Sequence, residues 1–321
     1  MTNNNVLILG VTGQDGSYLS KYLFDLGFNI FGTTRDLLSA NTSNLKRLGM
    51  EKNVKLLSTS ITDFRSLLLT LEKSQPSMVF HMAGQTSVGL SFQLPYEAIE
   101  SISLSTLNLL EAIKFFNPKI KLFLPCSSDC FGNTSLSKPA TENSTHQPCS
   151  PYAVAKSSSY WLANSYRESY GMFISVGFLS NHESPLRGNH FVTSKIIREI
   201  KRIKNNEASE IYLGDLNIIR DWGWAPSYIE AIYKIITYEF PDDFIIATGR
   251  SYSLKDFVNK AFELSGLGEA NHYIKFIDSE LRPNEIKSTY LNPSKSKIKL
   301  NWENKIDFES LILKLLNDEI M

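Results

Sequence analysis

The sequence predicts an α/β fold, a doubly wound parallel sheet followed by a smaller α/β domain. Short apolar runs alternate with longer amphipathic ones through the first half of the chain. The apolar runs are continuous, as in strands buried on both faces, and do not alternate with polar residues. A glycine-rich turn, Gly10-Val11-Thr12-Gly13-Gln14-Asp15-Gly16, joins the first apolar run to the first amphipathic one.

Val6–Leu9 reads as the first strand. Residues 16–26 read as a helix with Tyr18, Leu19, Tyr22, Leu23 and Leu26 on one face, ended by Gly27. Further strands are predicted at 29–33, 54–58, 78–82, 121–126 and 173–178, with helices at 64–73, 97–116 and 152–170. Beyond residue 180 the alternation loosens into helices at 191–204, 226–238, 254–265 and 308–316 and a strand at 244–247. The expected division is a Rossmann-type dinucleotide-binding domain over 1–178 and a substrate-binding domain over 179–321. Segments around 220–249 are expected to cross back to the first domain's sheet.

Hydrophobic residues make up 42% of the 321, enough for a substantial core. The 33 basic and 33 acidic residues cancel. This argues against nucleic acid or a membrane surface as partner, and leaves any anionic ligand to a few placed cations. The cysteines Cys126, Cys130 and Cys149 are odd in number and lack disulfide-like spacing, which points to a reducing, cytoplasmic compartment. With no histidine cluster near Cys126 and Cys130, no metal site is expected. MTNNNVLILG carries no basic leader and reads as a first strand. No apolar stretch reaches the roughly 18 residues that a membrane span needs.

The chemistry-bearing residues fall in a telling order. Gly10, Gly13 and Gly16 permit a sharp turn and close approach of a pyrophosphate to a helix N-terminus. At the end of the second strand stands Thr33-Thr34-Arg35, where a carboxylate would bind the ribose hydroxyls of NAD. An arginine there favours a 2′-phosphate, hence NADP; a solvated surface arginine followed by Asp36 is the other reading. Tyr152 and Lys156, four apart, share a helix face, and a cation beside a phenol lowers its pKa. Tyr152 can then move a hydroxyl proton while a nicotinamide takes hydride from the same carbon. Ser127 and Ser128 follow the fifth strand, where they can meet a sugar. His81 and His182 are read as structural hydrogen-bonding groups rather than metal ligands.

With these residues in place, the chain resembles the extended short-chain dehydrogenases/reductases and, among them, the GDP-mannose 4,6-dehydratase family. The matching strings are GVTGQDGSYL (10–19), AGQTSVGLSF (83–92), SPYAVAK (150–156), NHESPLRG (181–188), FVTSKI (191–196), IYLG (211–214), RDWGWAP (220–226), IATG (246–249) and RPNE (282–285). The resemblance implies a redox-neutral cycle with NADP, in which a GDP-sugar is oxidised at C4, loses water across C5–C6 and is reduced at C6. Ser127, Asp129, Tyr152 and Lys156 would be catalytic. Asp129 stands where the family carries a glutamate, one methylene longer. Ser127 and Asp129 also resemble sister reductases or epimerases of 4-keto-6-deoxy GDP-sugars, and a GDP-linked heptose is an alternative substrate. A non-catalytic NADP-binding protein would be expected to lack Tyr152 or Lys156. Gly10, Thr12, Gly13, Gln14, Asp15, Gly16, Arg35, Asp63, Ala83 and Gln85, with Tyr152 and Lys156, would hold the cofactor. Gln85, Ser87, Asn181, Val192, Lys195, Arg220, Arg282 and Glu285 would hold the nucleotide sugar. Ser60 stands where relatives often have an aspartate near the adenine. Residues 35–47 correspond to a loop that reaches a neighbouring subunit, so a homotetramer, or at least a homodimer, is expected.

Overall fold

Val6, Leu7, Ile8 and Leu9 are all closed to solvent, so the first strand needs cover on both faces. In the computed structural model, which describes residues 4–321, that strand is β1 (Asn5–Leu9). It lies inside a seven-stranded parallel sheet, paired on both sides. The other early strands are β2 (Asn29–Thr34), β3 (Val54–Ser58), β4 (Met78–His81), β5 (Lys121–Ser127) and β6 (Ile174–Leu179). Three strands outside this sheet come next, β7 (Asn181–Glu183), β8 (Ile211–Leu213) and β9 (Ile219–Trp224). The sheet is completed by β10 (Asp243–Ile246), giving the order β10-β6-β5-β4-β1-β2-β3.

Side chains alternate across each strand and sort into two cores. Val6 and Ile8 face helices Gln14–Asp25 and Ala225–Ile236, where Leu19, Leu23, Ile229 and Ile232 pack. Leu7 and Leu9 face helices Phe64–Ser74 and Ser105–Phe116, packing with Leu67, Leu71, Leu109 and Ile113. A third core unites helices Val192–Lys204, Leu254–Ser265 and Phe308–Leu316, through Ile196, Ile200, Phe257, Phe262 and Ile312. Over it, β9 pairs with β7 and with β11 (Ser251–Ser253), and β8 pairs with β12 (Ile274–Phe276). Helix Ala225–Ile236 and β10 return to the main sheet, whereas β9 stays outside it.

The helix expected over 97–116 begins at Pro95 and widens into π-helical turns over Ile99–Leu104 before continuing as Ser105–Phe116. Hydroxyls accompany the widening: Ser101 Oγ donates to the Glu97 carbonyl and Ser105 Oγ to that of Ser101. Ser101 Oγ also accepts the Gln85 N–H at 3.1 Å, so the wide segment holds the turn after β4.

Strand β9 passes Tyr228 with only a glycine's width to spare. A Cβ on Gly223 would sit 2.3 Å from the Tyr228 ring, which is fully buried. Gly223→Ala is therefore expected to lower stability by about 1–3 kcal/mol through overpacking. Denaturant titration should show this as a lower midpoint with an unchanged slope.

Candidate active site

The carboxyl ends of the parallel strands open into one cavity of about 1600 Å³, the place where such sheets bind ligands. At its floor is the turn from β1 into helix Gln14–Asp25. Gly10 has φ +77°, and a Cβ there would lie 2.8 Å from the Ala83 backbone. A Cβ on Gly16 would lie 2.3 Å from the Gly10 carbonyl oxygen. Gly13 differs, since its nearest neighbour would be 3.5 Å away. Two glycines thus serve backbone packing, while Gly13 leaves room at the cavity. Gly13 is also the helix N-cap and supplies no capping side chain, so first-turn N–H groups remain for an anion. Nearby, Gln85 Nε2 donates to the Ser87 carbonyl at 2.6 Å, while the buried Gln85 Oε1 has no protein partner among the described residues. A bare helix start and an acceptor awaiting a donor suit a dinucleotide.

Side chains bolt this turn to β7. Asp15 Oδ2 accepts from His182 Nε2 at 3.0 Å, and the other ring nitrogen lies 2.8 Å from the Ser180 carbonyl oxygen. Gln14 Nε2 donates to the His182 carbonyl, and Ser184 Oγ donates to Gln14 Oε1. The His182 ring stacks on Tyr228 at 4.9 Å. Burial alone would raise the Asp15 pKa, but the charge and hydrogen bond of His182 outweigh it and hold Asp15 at about 2. Burial opposes charge on His182 too; Asp15 overcomes it and raises His182 above its ordinary value.

At the far side, β5 delivers Ser127 and a short 3-10 turn, Ser128–Phe131, delivers Asp129. The Asp129 N–H donates to Ser127 Oγ at 3.2 Å. Burial and then the Asp129 charge push the Tyr152 pKa up, while a hydrogen bond with Ser127 pulls it down. The net rise differs from the expected lowering. Lys156 Nζ donates to the Pro125 carbonyl at 2.8 Å and lies 5.8 Å from the Tyr152 ring centre. Its ammonium is thus engaged with backbone, and burial lowers its own pKa. In this state Tyr152 is a protonated phenol. Behind it, Cys126 and Cys130 are free thiols with their sulfurs 3.4 Å apart.

The outer cavity pairs cations with carboxylates. Arg220, only 6% exposed in its side chain, gives Nη2 to Glu285 at 2.7 Å, and Arg282 Nη1 reaches the same oxygen at 3.1 Å. Asn181, Val192 and Lys195 line the same cavity. Arg35 lines it beyond β2, while Asp36 accepts from the Leu38 N–H and Ser39 Oγ of its own loop. Thr12, Ala83 and Ser87 also line it.

Asp63 is the exception among the predicted residues. It is exposed and caps helix Phe64–Ser74, accepting the Arg65 N–H at 2.8 Å, and it does not line the cavity. An acidic residue shortly after a strand reads as a ligand group, but the helix start behind it claims the carboxylate. Ser60 and Thr62 line the cavity there instead. His81 is structural, with Nε2 3.1 Å from Ser105 Oγ and a pKa lowered by burial to about 3. The pairing of Asp15 with His182 went unread in the sequence. Its only trace there is that each partner lies within a string matching the same family.

The chain matches the GDP-mannose 4,6 dehydratase family over residues 7–315. GDP-mannose 4,6 dehydratase 1 of Arabidopsis thaliana is 34% identical over 98% of this chain and 89% of its own length. GDP-mannose 4,6-dehydratase of Vibrio cholerae serotype O1 is 33% identical, covering 100% of this chain and 94% of that protein. Among solved structures, UDP-glucose 4-epimerase of Thermotoga maritima superposes with TM-score 0.86 at 23% identity, covering 98% of both chains. dTDP-glucose 4,6-dehydratase of Bacillus anthracis, in complex with NAD, gives 0.84 at 20% identity, covering 98% of this chain and 95% of its own.

The Asp15–His182 pair makes stability depend on pH. His182 is raised above 6.5, so its contribution is full below that value and fades as pH climbs through the folded pKa. Asp15 is lowered from 3.8, so its contribution is full above 3.8 and fades as pH falls toward 2. The stability gap between the parent and His182→Asn should be widest between about pH 4 and 6.5 and narrow by pH 9. Chemical unfolding across a pH series measures it, and a gap that widens with pH would contradict the assignment.

Proposed function

The chain belongs to the GDP-mannose 4,6-dehydratase family, and from that premise we propose how its own residues divide the reaction. The reaction is the conversion of GDP-mannose to GDP-4-keto-6-deoxymannose. One observation carries the division of labour: the Tyr152 phenol and the Asp129 carboxylate line the same cavity, close enough for the Asp129 charge to raise the phenol's pKa. A 4,6-dehydration needs two proton acceptors, one at the C4 hydroxyl and one at C5.

Gly13, Gln85, Tyr152 and Lys156 would hold a nicotinamide cofactor, with the bare helix start at its pyrophosphate. When bound, the oxidised nicotinamide supplies a hydride acceptor and a positive charge. Tyr152 takes the C4 hydroxyl proton; C4 stays a ketone in the product, so Tyr152 gives this proton up at C5 when the C5–C6 alkene is reduced. Ser127 orients that hydroxyl, its oxygen fixed by the Asp129 N–H. Lys156, anchored on Pro125, holds positive charge beneath the ring. Asp129 takes the C5 proton, and that proton leaves with the C6 hydroxyl as water. Arg220 partly offsets the Asp129 charge before substrate arrives. Asn181, Val192, Lys195, Arg282 and Glu285 hold the GDP portion. Residues 1–178 hold the cofactor and supply the groups that act on the sugar, and 179–321 hold most of the sugar nucleotide.

NADP is the proposed cofactor, because Arg35 stands at the cavity edge after β2 while Asp36 turns its carboxylate into its own loop. The protein is a homo-oligomer, a tetramer in the proposed form, working in the cytoplasm. Two features support assembly. Leu104, Val154 and Trp161 expose apolar surface on adjoining helices, and Leu38, at the tip of the 36–42 loop, is 98% exposed.

Purified protein should convert GDP-mannose with only catalytic amounts of NADP, the product being followed by NMR. Asp129→Asn should still oxidise C4, so absorbance of the reduced cofactor rises and persists while dehydrated product falls by about 10²–10⁴. Dehydration at the parent's rate would place the base elsewhere. Arg35→Ala should erode the preference for NADP over NAD by about 1.5–3 kcal/mol, measured as the ratio of the two dissociation constants. An unchanged ratio would remove Arg35 as the phosphate ligand.

A further inference from the structure

Lys195, in the first turn of helix Val192–Lys204, faces the cavity with its side chain 22% exposed. Its ammonium lies 2.7 Å from Glu280 Oε1. Glu280 ends a short 3-10 turn, Asp278–Glu280, in a strap that crosses the cavity mouth. The strap is fixed at both ends by backbone: the Ile277 N–H donates to the Leu213 carbonyl, and the Ile219 N–H to the Lys287 carbonyl. Between those anchors it carries Glu280, Arg282 and Glu285. Gly214 lets it lie close, since a Cβ there would be 3.1 Å from the Glu280 carbonyl oxygen.

Glu280 and Glu285, two of the strap's three acidic residues, are held differently. Glu285 is shared by Arg220 and Arg282, and both its side chain and that of Arg220 are largely buried. Among the described residues the Glu280 side chain has the single partner Lys195, and it keeps 46% of its surface exposed. An exposed pair of this kind is weak and exchangeable, whereas a buried, shared carboxylate is not. We propose that Glu280 is a tethered counter-anion that occupies Lys195 until the diphosphate of a nucleotide sugar displaces it. This inference rests on the reading of the cavity as a GDP-sugar site. The anchors keep the carboxylate at high local concentration, so every incoming diphosphate competes with it. A carboxylate presents one negative charge to the ammonium and a diphosphate presents more, so the ligand wins without Glu280 leaving the mouth altogether. Glu280 thereby weakens affinity and favours ligands carrying two phosphates over those carrying one.

The test is calorimetric titration of the parent and Glu280→Gln with GDP and, separately, with inorganic pyrophosphate. The glutamine variant should bind both about two- to fivefold more tightly, the range equivalent to an exposed ion pair. In a Lys195→Met background the gain from Glu280→Gln should vanish. Equal or weaker binding by Glu280→Gln, or a gain that survives without Lys195, overturns the role given to Glu280. If the parent binds pyrophosphate but not GDP while the glutamine variant keeps its gain for pyrophosphate, the role of Glu280 stands and the nucleotide reading falls.

Discussion

The whole arrangement depends on how closely the turn after β1 approaches the start of the loop after β4. At Gly10 a single added carbon would strike the Ala83 backbone, and at Gly16 it would strike the Gly10 carbonyl. These contacts bring the N-terminus of helix Gln14–Asp25 to the mouth of the sheet, with its unpaired N–H groups turned to one point. Everything chemical in the molecule is arranged around that point. Tyr152, Ser127 and the arginines of β9 and the strap line the cavity around it, and His182 and Gln14 tie β7 to the turn.

The charge pattern follows from the net neutrality of the chain. No general positive field draws in a nucleotide, so the cations that serve it must be sheltered and individually countered. Arg220 and Arg282 share Glu285, and Asp15 meets His182. Each arrangement removes the cost of an isolated charge near the protein interior. Tyr152 shows the same economy in reverse. Burial and a neighbouring carboxylate hold its proton on, and the positive charge that would release it comes with the cofactor.

Much of this was legible before the structure. The strand at Val54–Ser58 and the helices Leu254–Ser265 and Phe308–Leu316 appear where the apolar periodicity puts them. Those segments carry their signal locally, in side-chain spacing and capping residues. Strands β7, β9 and β11 were not legible, because three to six residues such as Asn181-His182-Glu183 have no periodicity to read. Their partners lie 30 to 41 positions away along the chain. The π-helical turns escaped for another reason: Ile102 and Leu104 fit a helical pattern equally well whether the turn is tight or wide. Ser127, Tyr152 and Lys156 were legible as types in an order. The contact of Lys195 with Glu280 joins residues 85 apart, and nothing in either neighbourhood announces it.

The late return of β10 to the sheet bears on how the chain is made. Strand β6 has no outer neighbour until Asp243–Ile246 has been synthesised, and the Val6–Ile8 face lacks much of its cover until helix Ala225–Ile236 exists. Growing N-terminal first, at about 5–20 residues per second, the nascent chain spends seconds with an open sheet edge and a bare apolar face. The N-terminal half therefore does not mature before residues 225–246 have been made. The two must complete each other on or near the ribosome, and a chain stalled between β6 and β10 is a client for chaperones rather than a folded domain.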